Sequence, residues 1–259
     1  MTKAVLLFCT PFVLANALYN GNPEYPTIVD EGLFFNKDSN FTLDVGYQKD
    51  WVFDYKFNVE NLVDSTFSRA TSVMDQGLIN VNLFENYQVY ATLGAAMFEF
   101  DQTLRSDDVV SYTTKDSFTF GVGGKILIYQ GHGFSLGIDG KYQYACPSIS
   151  TITKDGAYVP QTSKADVTFY AWQIAAAVAY RIDMFSPYIG INYLNQKAHF
   201  KNLDEGIVSP ADTDFYAKGS IPVGGIIGFT ISSSRDFSVT VESRIIDENA
   251  ITLLLDLKF

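Results

Sequence analysis

Apolar and polar side chains alternate strictly along Phe41-Thr42-Leu43-Asp44-Val45-Gly46-Tyr47-Gln48. With one exception the pattern repeats over Trp51 to Asn58, and it returns over Phe134 to Tyr144 and Phe237 to Ile245. A period of two places one face of a strand in an apolar medium and the other in water. The pattern predicts strands over 28–35, 41–49, 51–58, 77–85, 87–100, 117–129, 134–146, 166–181, 185–197, 221–232, 237–246 and 250–259. Twelve is the expected number, with ten to sixteen allowed because strand boundaries are read to within a few residues. The connections alternate in length. Asp50, Asn86, Gln130–Gly133, Ile182–Met184 and Ser233–Asp236 are short, whereas 59–76, 101–116, 147–165 and 198–220 are long. Short turns on one side and long loops on the other suit a transmembrane antiparallel β-barrel of the outer-membrane type. A soluble sandwich has no reason to segregate its loops.

The two ends of the chain add to this expectation. Ile251, Leu253, Leu255, Leu257 and Phe259 occupy alternate positions up to the last residue. A soluble edge strand with that face would be an aggregation hazard, whereas in a barrel it faces lipid. At the other end Lys3, the apolar stretch from Ala4 to Leu14 and the small-residue site Ala15-Asn16-Ala17 predict a secretory signal peptide over 1–17, with the barrel over 18–259. After Ala17 no run of eighteen apolar residues occurs, so spanning helices are not the main architecture. Cleavage would leave a single cysteine, Cys146, which cannot close a disulfide within the chain.

Composition narrows the chemistry. Two Cys and two His in 259 residues speak against a zinc site, and 18 basic against 29 acidic residues speak against nucleic-acid binding. Neither a metal nor a cofactor is expected. His132 falls in a tight turn and His199 beside a long loop, so neither is placed beside a strand nucleophile and no catalytic residues are assigned. Gly121-Val122-Gly123-Gly124-Lys125 lacks the hydroxyl that a phosphate loop needs next and is read as strand glycine in a curved sheet.

Assigning the apolar set to lipid turns the polar set inward. Asp44, Asp54, Lys56, Asp139, Lys141, Glu242 and Arg244 are the candidate pore-lining residues, with Asp256 and Lys258 on the same face. Tyr55 and Phe57 fall in the outward set, and Tyr47, Trp51, Tyr144 and Phe259 are candidates for aromatic girdles. Twelve strands enclose more space than side chains fill, which predicts a water-filled lumen.

Three segments carry a family resemblance. Leu18-Tyr19-Asn20-Gly21-Asn22-Pro23-Glu24-Tyr25-Pro26, running on through Ile28-Val29-Asp30-Glu31-Gly32, resembles the mature N-terminus of the chlamydial major outer membrane protein family. Val45 to Asp54 resembles that family's first clear hairpin, and Val239 to Phe259 is similar to its closing strands. The resemblance implies a trimeric porin and abundant surface antigen in the outer membrane of a Gram-negative-type envelope. This chain is shorter than the family norm, so the usual sixteen strands are not carried over. The family is also cysteine-rich and disulfide cross-linked, and a mature chain with only Cys146 puts that role in doubt.

Two principal readings follow. One is a porin through which small hydrophilic solutes and ions diffuse, the barrel also serving as a major surface structural protein. The other is a non-conducting structural or adhesive barrel that works through its long loops. A channel with a ladder of specific substrate-binding groups is a third. The expected partners are outer-membrane lipid, small hydrophilic solutes and two further copies of the chain. Acidic loop residues such as Asp101, Asp107, Asp108 and Asp214 predict a mild cation preference if the barrel conducts.

Overall fold

The computed structural model describes residues 21–24, 41–60, 65–104, 107–204, 207, 213–232 and 237–259. The strands are β1 (Phe41–Tyr55), β2 (Phe57–Glu60), β3 (Thr66–Leu83), β4 (Tyr87–Thr103), β5 (Val109–Thr114), β6 (Ser117–Gly131), β7 (Phe134–Ala145), β8 (Ile149–Lys154), β9 (Ala157–Tyr158), β10 (Asp166–Tyr180), β11 (Phe185–Lys201), β12 (Phe215–Gly219), β13 (Val223–Ser232), β14 (Phe237–Ile245) and β15 (Glu248–Lys258). Ten of them close into a ring in the order β1-β15-β14-β13-β11-β10-β7-β6-β4-β3, with β3 returning to β1. Every neighbouring pair is antiparallel. Closure pairs the backbone groups that lipid cannot satisfy.

The ten barrel strands lie within the range the sequence allows and two below the twelve it favours. One of the two is lost because Asp50 makes no turn. It lies inside β1, opposite Met74 of β3 and Thr252 of β15, so the segments read as two strands are one. The other, over 28–35, lies outside the described residues, as does the signal-peptide segment 1–17.

The connections keep their asymmetry. At one end β6 and β7 are joined by His132-Gly133, both with positive φ (54° and 81°), the arrangement of a type I′ turn whose twist matches the strands it joins. At the other end the chain builds further sheet beyond the ring. There β4 pairs with β5, β5 with β8 and β8 with β9, while β11 pairs with β12 and β12 with β2. The Asp204 carboxylate fastens two long connections by accepting bonds from the backbone and hydroxyl groups of Thr162 and Ser163. These bonds hold its carboxyl down at about 2.

The outside of the ring is apolar. Ile189, Ile191, Ile227, Leu93 and Val89 are all more than half exposed, with Ile191 at 67%. Exposed apolar side chains in this number belong in lipid. The inside is polar over the turn-end half of the barrel, and its glycines make room for crossing side chains. A Cβ on Gly123 would collide with the Tyr90 ring, and one on Gly228 with the Tyr188 ring.

Candidate functional site in the barrel lumen

Five of the seven residues expected to line a pore point into the ring. Asp44, Asp139, Lys141, Glu242 and Arg244 are 3%, 2%, 5%, 0% and 0% exposed. Charged side chains this little exposed are packed among neighbours inside the ring. Ten strands enclose less space than twelve. The other two, Asp54 and Lys56, lie elsewhere. A β-bulge between Val52 and Asp54 inserts Phe53 and reverses the phase of the strand. Asp54 is therefore opposite the exposed Asn249, and it ion-pairs with Lys56 on the outer side. The same bulge turns Tyr55 and Phe57, expected to face lipid, into the interior, where they are 2% and 5% exposed.

Arg244 organises the middle of the lumen. Its Nη2 donates to Asp50 Oδ1 at 2.7 Å, its Nε to Glu248 Oε1 at 2.5 Å, and its Nη1 to Thr252 Oγ1 at 2.6 Å and Glu242 Oε1 at 3.5 Å. One guanidinium thus serves three carboxylates drawn from β1, β14 and β15. Sequence reading finds Arg244 and Glu242 and misses the other two, because Asp50 reads as a turn and Glu248 as part of a loop. Towards the turn end, Asp139 accepts bonds from the Tyr90 hydroxyl at 2.8 and 2.9 Å, and Asp44 accepts one from Asn82 at 2.7 Å. Residues Gly21–Glu24 also lie inside the ring, all four of them buried.

Towards the long-loop end the lumen is apolar. Tyr55, Phe98, Phe100, Tyr112, Phe169, Phe200 and Phe215 are fully buried and form one cluster with Val52, Met74, Ile152 and Leu194. Their rings meet across the barrel. β1 and β10 stand five places apart in either direction around the ten-strand ring, yet the rings of Tyr55 and Phe169 are 5.7 Å apart. Phe67 of β3 reaches Phe200 of β11 at 5.7 Å, and Phe98 reaches Phe169 at 4.8 Å. Opposite walls therefore touch through aromatic side chains. The arrangement can hold a barrel shut.

His132 is in its turn, and His199 stacks on Tyr216 at 4.0 Å. Among the described residues, no three His, Cys, Asp or Glu side chains are grouped to hold a metal ion.

Comparison with known proteins points the same way as the resemblance at the chain ends. The sequence profile of the Chlamydia major outer membrane protein family matches residues 149–214, the stretch from β8 into the connection after β11. The major outer membrane porin of serovar E from Chlamydia trachomatis is 21% identical, over 96% of this chain and 97% of the relative. The serovar B porin is 23% identical over 66% of this chain and 58% of the relative. The profile falls on the middle of the chain, whereas the residues that carry the resemblance by eye are at the two ends. The full-length alignment spans both. Among solved structures, the outer membrane protease OmpT from Escherichia coli is similar with a TM-score of 0.43 at 13% identity, covering 89% of this chain and 100% of that one.

Proposed function

We propose that this chain, a short and divergent member of the chlamydial major outer membrane protein family, serves in the outer membrane as a closed, non-enzymatic structural barrel that meets its surroundings through its long-loop end. The observation that carries the reading is the contact of opposite walls, Tyr55 against Phe169 at 5.7 Å, within a buried aromatic layer. A layer of packed rings excludes water and leaves no hydration path for an ion. The β5, β8, β9 and β12 extensions then present their outer faces as the working surface.

A second reading, passive diffusion of small hydrophilic solutes, is favoured by a different observation. Charges of both signs cross the middle of the lumen, with Arg244 against Asp50 at 2.7 Å, and the relatives are named major outer membrane porins. A purely structural barrel needs no such belt. Planar-bilayer recording separates the two. The refolded chain, verified as β-rich by circular dichroism, is expected to insert without discrete current steps. Regular steps at every insertion would overturn the closed reading. Their reversal potential under a salt gradient would then be expected to favour cations, in line with the acidic loops.

A homotrimer belongs to the same proposal. The outer wall at β1 and β3 carries Lys49 and Asp75, ion-paired at 2.8 Å, and the Tyr47 hydroxyl donates to the same carboxylate. Charge on a lipid-facing wall is unfavourable by ~2–4 kcal/mol for a basic side chain at the bilayer midplane and by less near the interface. A subunit contact over this strip would take the pair out of lipid. The protein in mild detergent is expected to have three times the monomer mass by light scattering, and Lys49→Glu is expected to reduce it. A monodisperse monomer would count against the trimer.

A further inference from the structure

The described N-terminal residues make contacts that a closed structural barrel does not need. Gly21 to Glu24 cross the turn end of the lumen, and four barrel strands hold them. The Glu24 carboxylate accepts bonds from Ser135 Oγ of β7 at 3.0 Å and Ser186 Oγ of β11 at 2.6 Å. Lys125 Nζ of β6 donates to the Asn22 carbonyl at 3.1 Å, and the Gly21 amide donates to Glu242 Oε2 of β14 at 2.9 Å. Asn22 Oδ1 accepts from the Glu24 amide at 2.9 Å, which fixes a turn around Pro23. The barrel is shaped for that turn. A Cβ on Gly137 would come within 2.9 Å of Pro23 Cβ, so any larger residue there would push against the proline.

Each kind of group in the segment meets a complement: the carboxylate two hydroxyls, the carbonyl an ammonium, the amide a carboxylate and the proline a glycine. We infer that the turn end of the lumen is a peptide-binding site, and that its ligand is the chain's own Gly-Asn-Pro-Glu segment, docked as a plug beneath the charged belt. Ser135 and Ser186 are each the second residue of their strand, directly after a tight turn, so the bound segment lies at the opening. With cleavage after Ala17, as the sequence predicts, the plug is the fourth to seventh residue of the mature chain, and a free end is what a segment needs in order to dock and leave. The plug and the aromatic layer close opposite ends of the lumen, so the inference does not depend on whether the barrel conducts.

The test reads access from the turn end. Thr230 is buried and faces Ser186 across the β11–β13 ladder. A Thr230→Cys reporter, made with Cys146→Ser, is expected to react slowly with a membrane-impermeant maleimide while Glu24 is present. Glu24→Lys is expected to speed labelling by at least about tenfold, the equivalent of ~1.4 kcal/mol of docking free energy. A synthetic peptide of residues 18–26 should slow it again, and a scrambled peptide should not. Equal labelling rates in the reporter barrel with and without Glu24→Lys, both showing β-rich dichroism, would overturn the plug. A second measurement avoids disturbing the polar contacts. Gly137→Val, which leaves every polar partner of the segment in place, is expected to push against Pro23 and speed labelling as Glu24→Lys does, whereas labelling as slow as in the reporter barrel, in a variant with β-rich dichroism, would overturn the proposal.

Discussion

Replacing Arg244 with Met is expected to destabilise the barrel by about 3–5 kcal/mol, the range for removing one partner of a buried ion pair. The guanidinium is 0% exposed and is the common partner of Asp50, Glu248 and Glu242. Without it, three carboxylates are left in one dry compartment, and each carries the desolvation cost that the arginine offset. Arg244→Lys should recover only part of the loss, because a single ammonium cannot reach Asp50, Glu248 and the Thr252 hydroxyl together as a planar fork does. The measurement is urea unfolding of the refolded protein in lipid vesicles, followed through the fluorescence of Trp51 and Trp172. The size of the effect reports on the lumen itself. In a water-filled channel the same pairs would be screened, and the substitution would cost only ~0–1 kcal/mol. A loss below about 1 kcal/mol would therefore contradict the dry interior, and with it the closed reading.

Much of this is legible in the sequence, and the exceptions have physical causes. The strand period, the loop asymmetry and the lipid-facing set Val239, Val241, Ile251, Leu253, Leu255 and Leu257 all follow from alternation, since a barrel wall has lipid on one side only. Asp50 misleads because a single acidic residue between two alternating runs looks like a turn. The register that carries β1 straight through it depends on Met74 and Thr252, which are remote in sequence. Tyr55 and Phe57 mislead because a bulge shifts the phase by one residue, and one residue is enough to exchange the two faces. The plug is invisible at this level, since nothing local marks Asn22 and Glu24 as partners of Lys125, Ser135 and Ser186.

The aromatic layer does leave a trace, in the phase of the alternation rather than in its presence. In β4 the apolar face falls on Val89, Ala91 and Leu93, all directed outward, and then passes to Phe98 and Phe100, directed inward, with Glu99 and Asp101 between and beyond them. In β10 the order is mirrored. Val167 and Phe169 are inward, and further along Ile174 and Val178 are outward. A strand that leaves lipid for water has to exchange its apolar side, because its outer face is then wet and its inner face becomes an ordinary protein core. The position of the phase change therefore marks the level at which the buried aromatic cluster begins.

Phe200 is the hub of the layer, with ring centroids 4.6 Å from Phe215, 5.0 Å from Phe100, 5.3 Å from Tyr112 and 5.7 Å from Phe67. Phe200→Ala removes a fully buried ring from among four others and should cost about 3–5 kcal/mol in the same unfolding experiment, the range for aromatic truncation in a packed core. Phe200→Leu, which keeps most of the volume, should cost ~1.5 kcal/mol or less. The pair distinguishes a packed core from rings that merely line a channel, for a ring facing water would be as easily replaced by Ala as by Leu. Current through the barrel supplies the second readout. Opening the layer with Phe100→Ser and Phe200→Ser together, in a chain that also carries Glu24→Lys, should convert a silent insertion into one with discrete steps, since both closures are then breached. Steps from the doubly opened barrel but not from Glu24→Lys alone would place the main barrier at the aromatic layer. Silence from a correctly inserted, doubly opened barrel would mean that the charged belt around Arg244 is itself impermeable, and the lumen would then be a structural core along its whole length.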